Sequence, residues 1–159
     1  MTVKIRWKPL LFCTLGTLAV GALSSVVGGA MKGFNGINTP SITPAPAVFS
    51  IAWTVLYLLM GVSAYLVYEA KGGMTKKALA LYVSQLAVNF LWPVFFFRLH
   101  AFTFSFIWLL LLAVLVIITA VEFKKIRPAA GYLLIPYILW LAFAGVLNCM
   151  VITLNWQDI

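Results

Sequence analysis

Charged residues divide this chain into five long apolar blocks. Residues 9–31, 33–68, 78–97, 99–121 and 128–157 contain no Asp, Glu, Lys or Arg. A helix needs about 20 apolar residues to cross the hydrocarbon core of a bilayer, so each block can supply one span. The pattern predicts an all-α fold: a polytopic membrane protein in which residues 1–159 form a single domain, a five-transmembrane-helix bundle.

The second block is too long for one span. Its first part is rich in asparagine, glycine and proline, which favour loops and turns, so the span itself starts near residue 46. The predicted helices therefore cover about 10–28, 46–68, 77–97, 101–122 and 130–154. One long loop, residues 29–45, and three short links connect them.

Composition agrees with a membrane location and narrows the chemistry. Hydrophobic residues make up 64% of the chain and charged residues 9%, against about 25% charged residues in a soluble domain. The chain has one histidine, His100, and three acids, too few for a protein-ligated metal centre or a carboxylate dyad. We find no motif for a nucleophile–base pair or a phosphate loop. We therefore predict no catalytic residues, no metal, no obligatory cofactor and no enzyme.

The basic residues predict the orientation. The formal charge is +8, and nine of the eleven Lys and Arg residues fall on one side of the predicted bundle, leaving only Lys32 and Arg98 on the other. Cytoplasmic loops carry the Lys/Arg excess, so the N-terminus is expected in the cytoplasm and the C-terminus outside. The charge needs no nucleic acid; anionic lipid headgroups are the expected partner. An alternative interpretation of the first block is a secretory signal peptide.

The third span carries polar residues on one face. Gln85, Asn89 and Trp92 follow helical steps, and Pro93 should bend the helix and free the Asn89 carbonyl. Two interpretations stay open: the amides bond to neighbouring helices, or they line a polar corner of a ligand cavity.

Three spans each offer a tryptophan on a face that also holds polar or small residues. These are Trp53, Trp92 and Trp140. Interfacial belts account for most membrane tryptophans, but Trp92 and Trp140 lie deeper in their spans. Aromatic faces with a few polar groups are typical of a cavity for a flat apolar ligand. In the first span, Thr17, Gly21, Ser25 and Gly29 share one face, which favours helix packing.

Three stretches carry recognisable motifs. Trp53 to Gly61 matches W-x-x-L-Y-x-x-M-G, Leu81 to Phe97 is similar to L-Y-x-x-Q-L-x-L-N-x-x-W-x-x-x-F-F, and Pro136 to Asn148 matches P-Y-x-x-W-x-x-F-A-x-x-L-N. In order and spacing they resemble the TspO/MBR family, which comprises translocator proteins (peripheral benzodiazepine receptors) and bacterial tryptophan-rich sensory proteins.

The resemblance implies a function. Family members form five-helix bundles, are often dimeric, and bind porphyrins such as protoporphyrin IX and haem as well as benzodiazepine-like ligands. The resemblance therefore implies that this protein is a tetrapyrrole-binding sensor or translocator. Passive transport of hydrophobic molecules and light-dependent porphyrin degradation are the alternatives. The implied ligand-binding residues are Trp53, Tyr57, Asn89, Trp92, Phe104, Trp140, Ala144 and Leu147. Phe104 stands where the fourth span of the family often has a tryptophan.

The chain also departs from the family pattern. Residues 42–45 replace the family's W-x-P-P in the first loop, which weakens the expectation of porphyrin photochemistry more than that of binding. Cys149 replaces the tyrosine of the animal cholesterol motif, and no Lys or Arg follows Arg127. We therefore do not expect sterol recognition through that motif, and we predict a bacterial cell membrane as the location.

Overall fold

Five apolar helical segments, each long enough to cross a bilayer, run through the computed structural model, which describes residues 5–156. The first two are α1 (Trp7–Gly28) and α2 (Pro46–Glu69), joined by a long loop that contains a short 3₁₀ turn, Ala30–Lys32. The third is α3 (Thr75–Pro93), which continues as a π-helical turn over Val94–Arg98. The fourth is α4 (Phe102–Ile126), and the fifth combines α5 (Pro128–Tyr132) with α6 (Ile135–Leu154). No strand occurs in this range, so the predicted all-α, five-span fold is confirmed.

Prolines cause the two departures from regular helices. The α-helical pattern of the third span ends at Pro93, and the Leu99 N–H then donates to the Val94 carbonyl, five residues back. The fifth span, predicted as one helix over 130–154, is instead broken at Leu133–Leu134. Because Pro136 has no N–H for the Tyr132 carbonyl and would clash with it, the new helix begins with this proline in its first turn, where the missing donor costs nothing.

Small residues bring α1 against its neighbours. A Cβ on Gly61 of α2 would lie 2.6 Å from the Thr14 Cα of α1, and one on Gly28 would collide with Pro93. Close backbone approach is how helices associate in lipid, where no hydrophobic effect draws them together. Around the bundle the order is α1, α2, α5–α6, α4 and α3, and α2 meets α6 chiefly through aromatic rings.

The long loop is tied to the last helix. Asn155 accepts a hydrogen bond from the Asn38 N–H at 3.0 Å and donates one to the Asn38 carbonyl at 2.8 Å. Phe34 of the same loop makes edge contacts with the rings of Phe49 and Phe97, at 5.7 and 5.4 Å between centroids. These contacts hold the loop over one end of the bundle.

Candidate functional site

A cavity of about 340 Å³ lies between the first four spans. Its size falls within the range of about 300–1,000 Å³ that is usual for small-molecule sites. Its wall is mainly apolar and aromatic, with a few polar side chains. The lining residues are Leu18, Gly21, Ala22, Ser24, Ser25, Ala30, Phe49, Ser50, Trp53, Thr54, Tyr57, Asn89, Trp92, Pro93, Phe97, Leu109 and Leu112.

Consecutive turns of α2 build one aromatic wall. Phe49, Trp53 and Tyr57 are spaced by four residues, so their side chains lie one above another on the same helix face. The Phe49 and Trp53 ring centroids are 6.3 Å apart, and those of Trp53 and Tyr57 are 5.6 Å apart. The wall therefore presents three rings in series to the cavity.

A buried hydrogen-bond network forms the polar part of the site. The Tyr57 hydroxyl donates to Asn89 Oδ1, the Asn89 Nδ2 donates to the Tyr137 hydroxyl, and that hydroxyl donates to Gln85 Oε1 at 3.3 Å. Gln85 and Asn89 are only 1% and 3% exposed. The network joins α2, α3 and α6. Gln85 forms a hydrogen bond to a neighbouring helix. Asn89 forms hydrogen bonds to neighbouring helices and also lines the cavity, so the polar face of α3 serves both helix contact and the cavity.

Trp92 contributes a different polar group. Its ring stacks on Phe96 at 4.9 Å and meets Phe97 edge-on at 5.9 Å. The residue is 5% exposed, and its Nε1 is buried with no hydrogen-bond partner among residues 5–156. An unpaired indole N–H thus belongs to a residue of the cavity wall.

From its exposed lining residues we infer that the cavity opens sideways between α1 and α2. Ala22, Ser50 and Thr54 line it and are exposed on the outside of the bundle. A bilayer around the spans would lie against this opening, so a lipid-soluble molecule could reach the cavity without crossing the loops.

The structure divides the predicted ligand-binding residues between several places. Trp53, Tyr57, Asn89 and Trp92 lie together in the cavity wall. Ala144 and Leu147 are buried on α6, outside the cavity lining. Phe104 is 48% exposed on α4, where its ring stacks on Trp108 at 5.9 Å, and the structure does not bring it to the cavity.

Trp140 lies behind the cavity wall. Its ring centroid is 6.4 Å from that of Trp53 and 5.8 Å from that of Phe49. It lines a second, outward-facing groove of about 460 Å³ between α2 and α6. The groove is otherwise lined by apolar residues, which are Ala52, Val55, Leu56, Pro136, Leu139 and Phe143.

The part of the cavity wall that α1 contributes was not predicted from the sequence. Gly21 and Ser25 were expected to serve helix packing, and Gly21 does lie against the Tyr57 ring, but both residues also line the cavity. A glycine leaves space and shows no side-chain signal, so only a polar residue such as Ser25 on the same face could have pointed to a cavity. Phe49 and Phe97 extend the aromatic faces by one turn and were missed for lack of a polar neighbour.

Comparison with known proteins identifies the family. The model of the TspO/MBR family matches residues 10–154, nearly the whole chain. The chain belongs to the TspO/MBR family. The match covers the second to fifth spans and all but the first three residues of the first, so the chain is an integral, multi-pass membrane protein of this family.

Relatives in the TspO/MBR family come from distant organisms. The chain is 36% identical to the translocator protein of Homo sapiens over 157 residues, covering 96% of this chain and 90% of that protein. It is 32% identical to the tryptophan-rich protein TspO of Archaeoglobus fulgidus over 143 residues, 89% of this chain and 93% of the relative. It is 34% identical to the tryptophan-rich sensory protein of Cereibacter sphaeroides over 124 residues, 78% of this chain and 77% of the relative. These names describe translocation and sensing rather than a catalysed reaction.

Proposed function

We propose that this protein binds a flat, largely apolar ligand of the tetrapyrrole class, such as protoporphyrin IX or haem, in the cavity between its first four spans. The observation that carries the proposal is the convergence of Trp53, Tyr57, Asn89 and Trp92 on one cavity from two helices. Aromatic faces favour a conjugated ring by stacking, and a few fixed polar groups orient it. Benzodiazepine-like molecules are smaller flat ligands for the same wall.

The sideways opening suits such a ligand. A porphyrin macrocycle is wider than one indole ring, and it would extend from the cavity through the gap between α1 and α2. Its inner part would contact the rings of α2, and its outer part would lie against Ala22 and Thr54, in reach of the bilayer.

Titration in detergent tests the proposal. Protoporphyrin IX should quench tryptophan fluorescence saturably, and Trp53→Ala should raise the Kd about tenfold, or about 1.4 kcal/mol. Trp7→Phe and Trp156→Phe are the matched controls, because both indoles are exposed near the chain ends and their loss removes signal without touching the cavity. Unsaturable quenching, or equal Kd values in all variants, would contradict a specific site.

Two further assays separate binding from its alternatives. Porphyrin uptake into proteoliposomes above that of empty liposomes would indicate passive transport. Loss of the Soret band on illumination, faster than with an equal concentration of free tryptophan, would indicate an enzyme. Under the proposal, both assays give the background rate.

The location and assembly are part of the same proposal. We propose a bacterial cell membrane, with the N-terminus in the cytoplasm, lipid as a partner and a homodimer as the assembly. With Cys13 and Cys149 replaced by Ala, a membrane-impermeant maleimide should label Lys32→Cys on intact cells and Lys76→Cys only after permeabilisation; the reverse pattern would contradict the orientation. Light scattering in detergent measures the oligomeric state.

A further inference from the structure

Two serines at the opening of the cavity keep their hydroxyl groups free. Ser25 of α1 is partly buried and Ser50 of α2 is exposed, and both line the cavity. Thr14, Thr17 and Thr54, on the same two helices, each donate to the backbone carbonyl four residues earlier, at 2.7–2.8 Å, whereas neither serine hydroxyl makes a hydrogen bond within the described chain. Both residues have accessible surface, so a ligand in the opening can reach them.

The packing of α1 against α2 brings the two serines to the same level. Gly61 lies against the Thr14 backbone, and Gly21 lies against the Tyr57 ring, so a step toward the end of α1 is matched by a step toward the start of α2. Continuing this register beyond Gly21 places the serine of α1 level with residues 50–53. The two hydroxyls therefore belong to opposite sides of one opening.

The cavity is polar at this opening and apolar further in. Ser25 lies three residues before the end of α1 and Ser50 four residues after the start of α2, so both are within about 6 Å of the end of the bundle that the long loop covers. Leu18 and Leu112 line the inner part, each ten residues into its helix from that end. The amide of Asn89 is engaged on both sides. A flat ligand with one polar edge matches this gradient when that edge stays at the opening.

Trp53 is a competing donor in the same wall. Its indole N–H also makes no hydrogen bond in the part of the chain that the structure describes, and it lies three residues further into α2 than Ser50. Its ring contacts four other rings, which fix the direction of its N–H. A serine hydroxyl rotates to suit its acceptor, and the serines supply two donors at one level, so the observations favour them.

We propose that Ser25 and Ser50 are specificity-determining residues: their hydroxyls donate to carbonyl or carboxylate oxygens on one edge of a flat ligand and hold that edge at the opening, while the apolar edge enters between the aromatic rings. The proposal rests on the proposed function and adds the ligand's edge chemistry and orientation to it. An opening toward the bilayer admits little water. A ligand that carries acceptors therefore forms hydrogen bonds there that an all-alkyl ligand cannot replace.

Three porphyrins of similar size test the proposal. Mesoporphyrin IX carries two carboxylates, its dimethyl ester keeps the carbonyl oxygens without the charge, and octaethylporphyrin has alkyl groups only. In fluorescence titrations the protein should bind the first two about tenfold more tightly than the third, as expected for two hydrogen bonds. The ester distinguishes hydrogen bonding from attraction to Lys32 and Arg98, the two basic residues at this end of the bundle.

Removing both hydroxyls should abolish the preference. In the double variant Ser25→Ala, Ser50→Ala the Kd for the acid and for the ester should rise about tenfold, and the Kd for octaethylporphyrin should stay within about twofold. Because neither hydroxyl is bonded within the described chain, resistance to unfolding by SDS should not fall. Thr54→Val is the matched control: it removes a hydroxyl of the same opening that is already bonded to the Ser50 carbonyl, and it should leave the preference intact.

A further variant tests the competing donor. Incorporating 3-benzothienylalanine at position 53 keeps the bicyclic ring of Trp53 and replaces its N–H by sulfur. Under the proposal this variant keeps the preference for the acid and the ester. Loss of the preference here, with the preference retained in the double serine variant, would assign the recognition to the indole and overturn the role of the serines.

The remaining outcomes separate the two proposals. Equal changes in all three Kd values in the double serine variant, or saturable binding without any preference in the unsubstituted protein, would overturn the role of the hydroxyls while leaving the site. Weakening of the free acid alone would assign the preference to charge and would also overturn that role. Absence of saturable binding for all three porphyrins in the unsubstituted protein would overturn the proposed function, and the role of the serines with it.

Discussion

The cavity and the outer groove each hold a tryptophan whose buried indole N–H has no partner within residues 5–156. Trp92 belongs to the cavity of about 340 Å³, and Trp140 belongs to the groove of about 460 Å³. The groove offers little for specific recognition, because its lining presents aliphatic and aromatic carbon and no polar side chain apart from that indole. The cavity combines rings with serines, a threonine, a tyrosine and an asparagine.

The difference shows what makes a site in a membrane bundle. Lipid chains fill an apolar groove as well as any ligand does, so volume alone gives no selectivity. Trp53 lies between the two spaces, with its ring in the cavity wall and in T-shaped contact with Trp140. Binding should therefore depend on residues on the cavity side of this ring and hardly on those on the groove side.

The largest expected effect is on the polar network, which supports only the cavity. Asn89→Leu should lower the free energy of unfolding by about 2–4 kcal/mol, because the Tyr57 and Tyr137 hydroxyls each lose a buried partner. Unfolding by SDS in mixed micelles measures it. Gln85→Leu removes only the 3.3 Å bond from Tyr137 and should cost less; an equal or larger loss would contradict this view of the network.

A larger side chain should weaken porphyrin binding when it is added to the cavity and hardly affect it when it is added to the groove. Gly21→Leu places atoms into the Tyr57 ring and the cavity, and the porphyrin Kd should rise about thirtyfold, or about 2 kcal/mol. Ala52→Leu adds a similar volume to the groove and should change the Kd less than twofold. If Ala52→Leu weakened porphyrin binding as much as Gly21→Leu does, the groove would be the site.

The hydrogen bonds between Asn155 and the long loop should control the rate of amide hydrogen exchange in that loop. Asn155→Ala removes two hydrogen bonds to the Asn38 backbone, each worth about 1 kcal/mol, and should speed amide hydrogen exchange in the loop about thirtyfold. Because the cavity opens between α1 and α2, ligand release measured by stopped-flow should stay within about twofold. A parallel acceleration of release would show that ligands leave beneath the loop.

Trp140→Phe should have the smallest effect. Its ring contacts that of Trp53 from the groove side, so we expect the Kd for protoporphyrin IX to rise about threefold, measured by fluorescence quenching of the remaining tryptophans. A rise of about thirtyfold or more would place Trp140 in the binding site itself.

Much of this arrangement could be predicted from periodicity. Gln85 and Asn89 are costly in lipid and share a helix face with Trp92, so their burial against other helices follows from the sequence. Pro93 likewise predicts an interruption of its helix. These inferences depend on contacts within one helix, for which the spacing of side chains is fixed.

Relations between helices were harder to predict. The approach of α2 and α6 decides whether Trp140 lies in the cavity or behind Trp53, and a motif in one helix does not determine that distance. Pro136 carried a signal for a break in the fifth span, yet whether this proline bends one helix or separates two depends on how α5 packs against α4. There Gly131 lies so close to Lys124 and the Ala120 carbonyl that a Cβ would clash.

The pairing of Asn155 with Asn38 has a consequence for synthesis. The two residues are 117 positions apart in sequence, and the ribosome adds Asn155 only after the residues of all five spans. Until then the loop behind the first helix has no anchor at its far side. The nascent bundle therefore passes through a stage in which one end is still uncovered, and a molecule already dissolved in the bilayer could occupy the interior before the last segment closes over it.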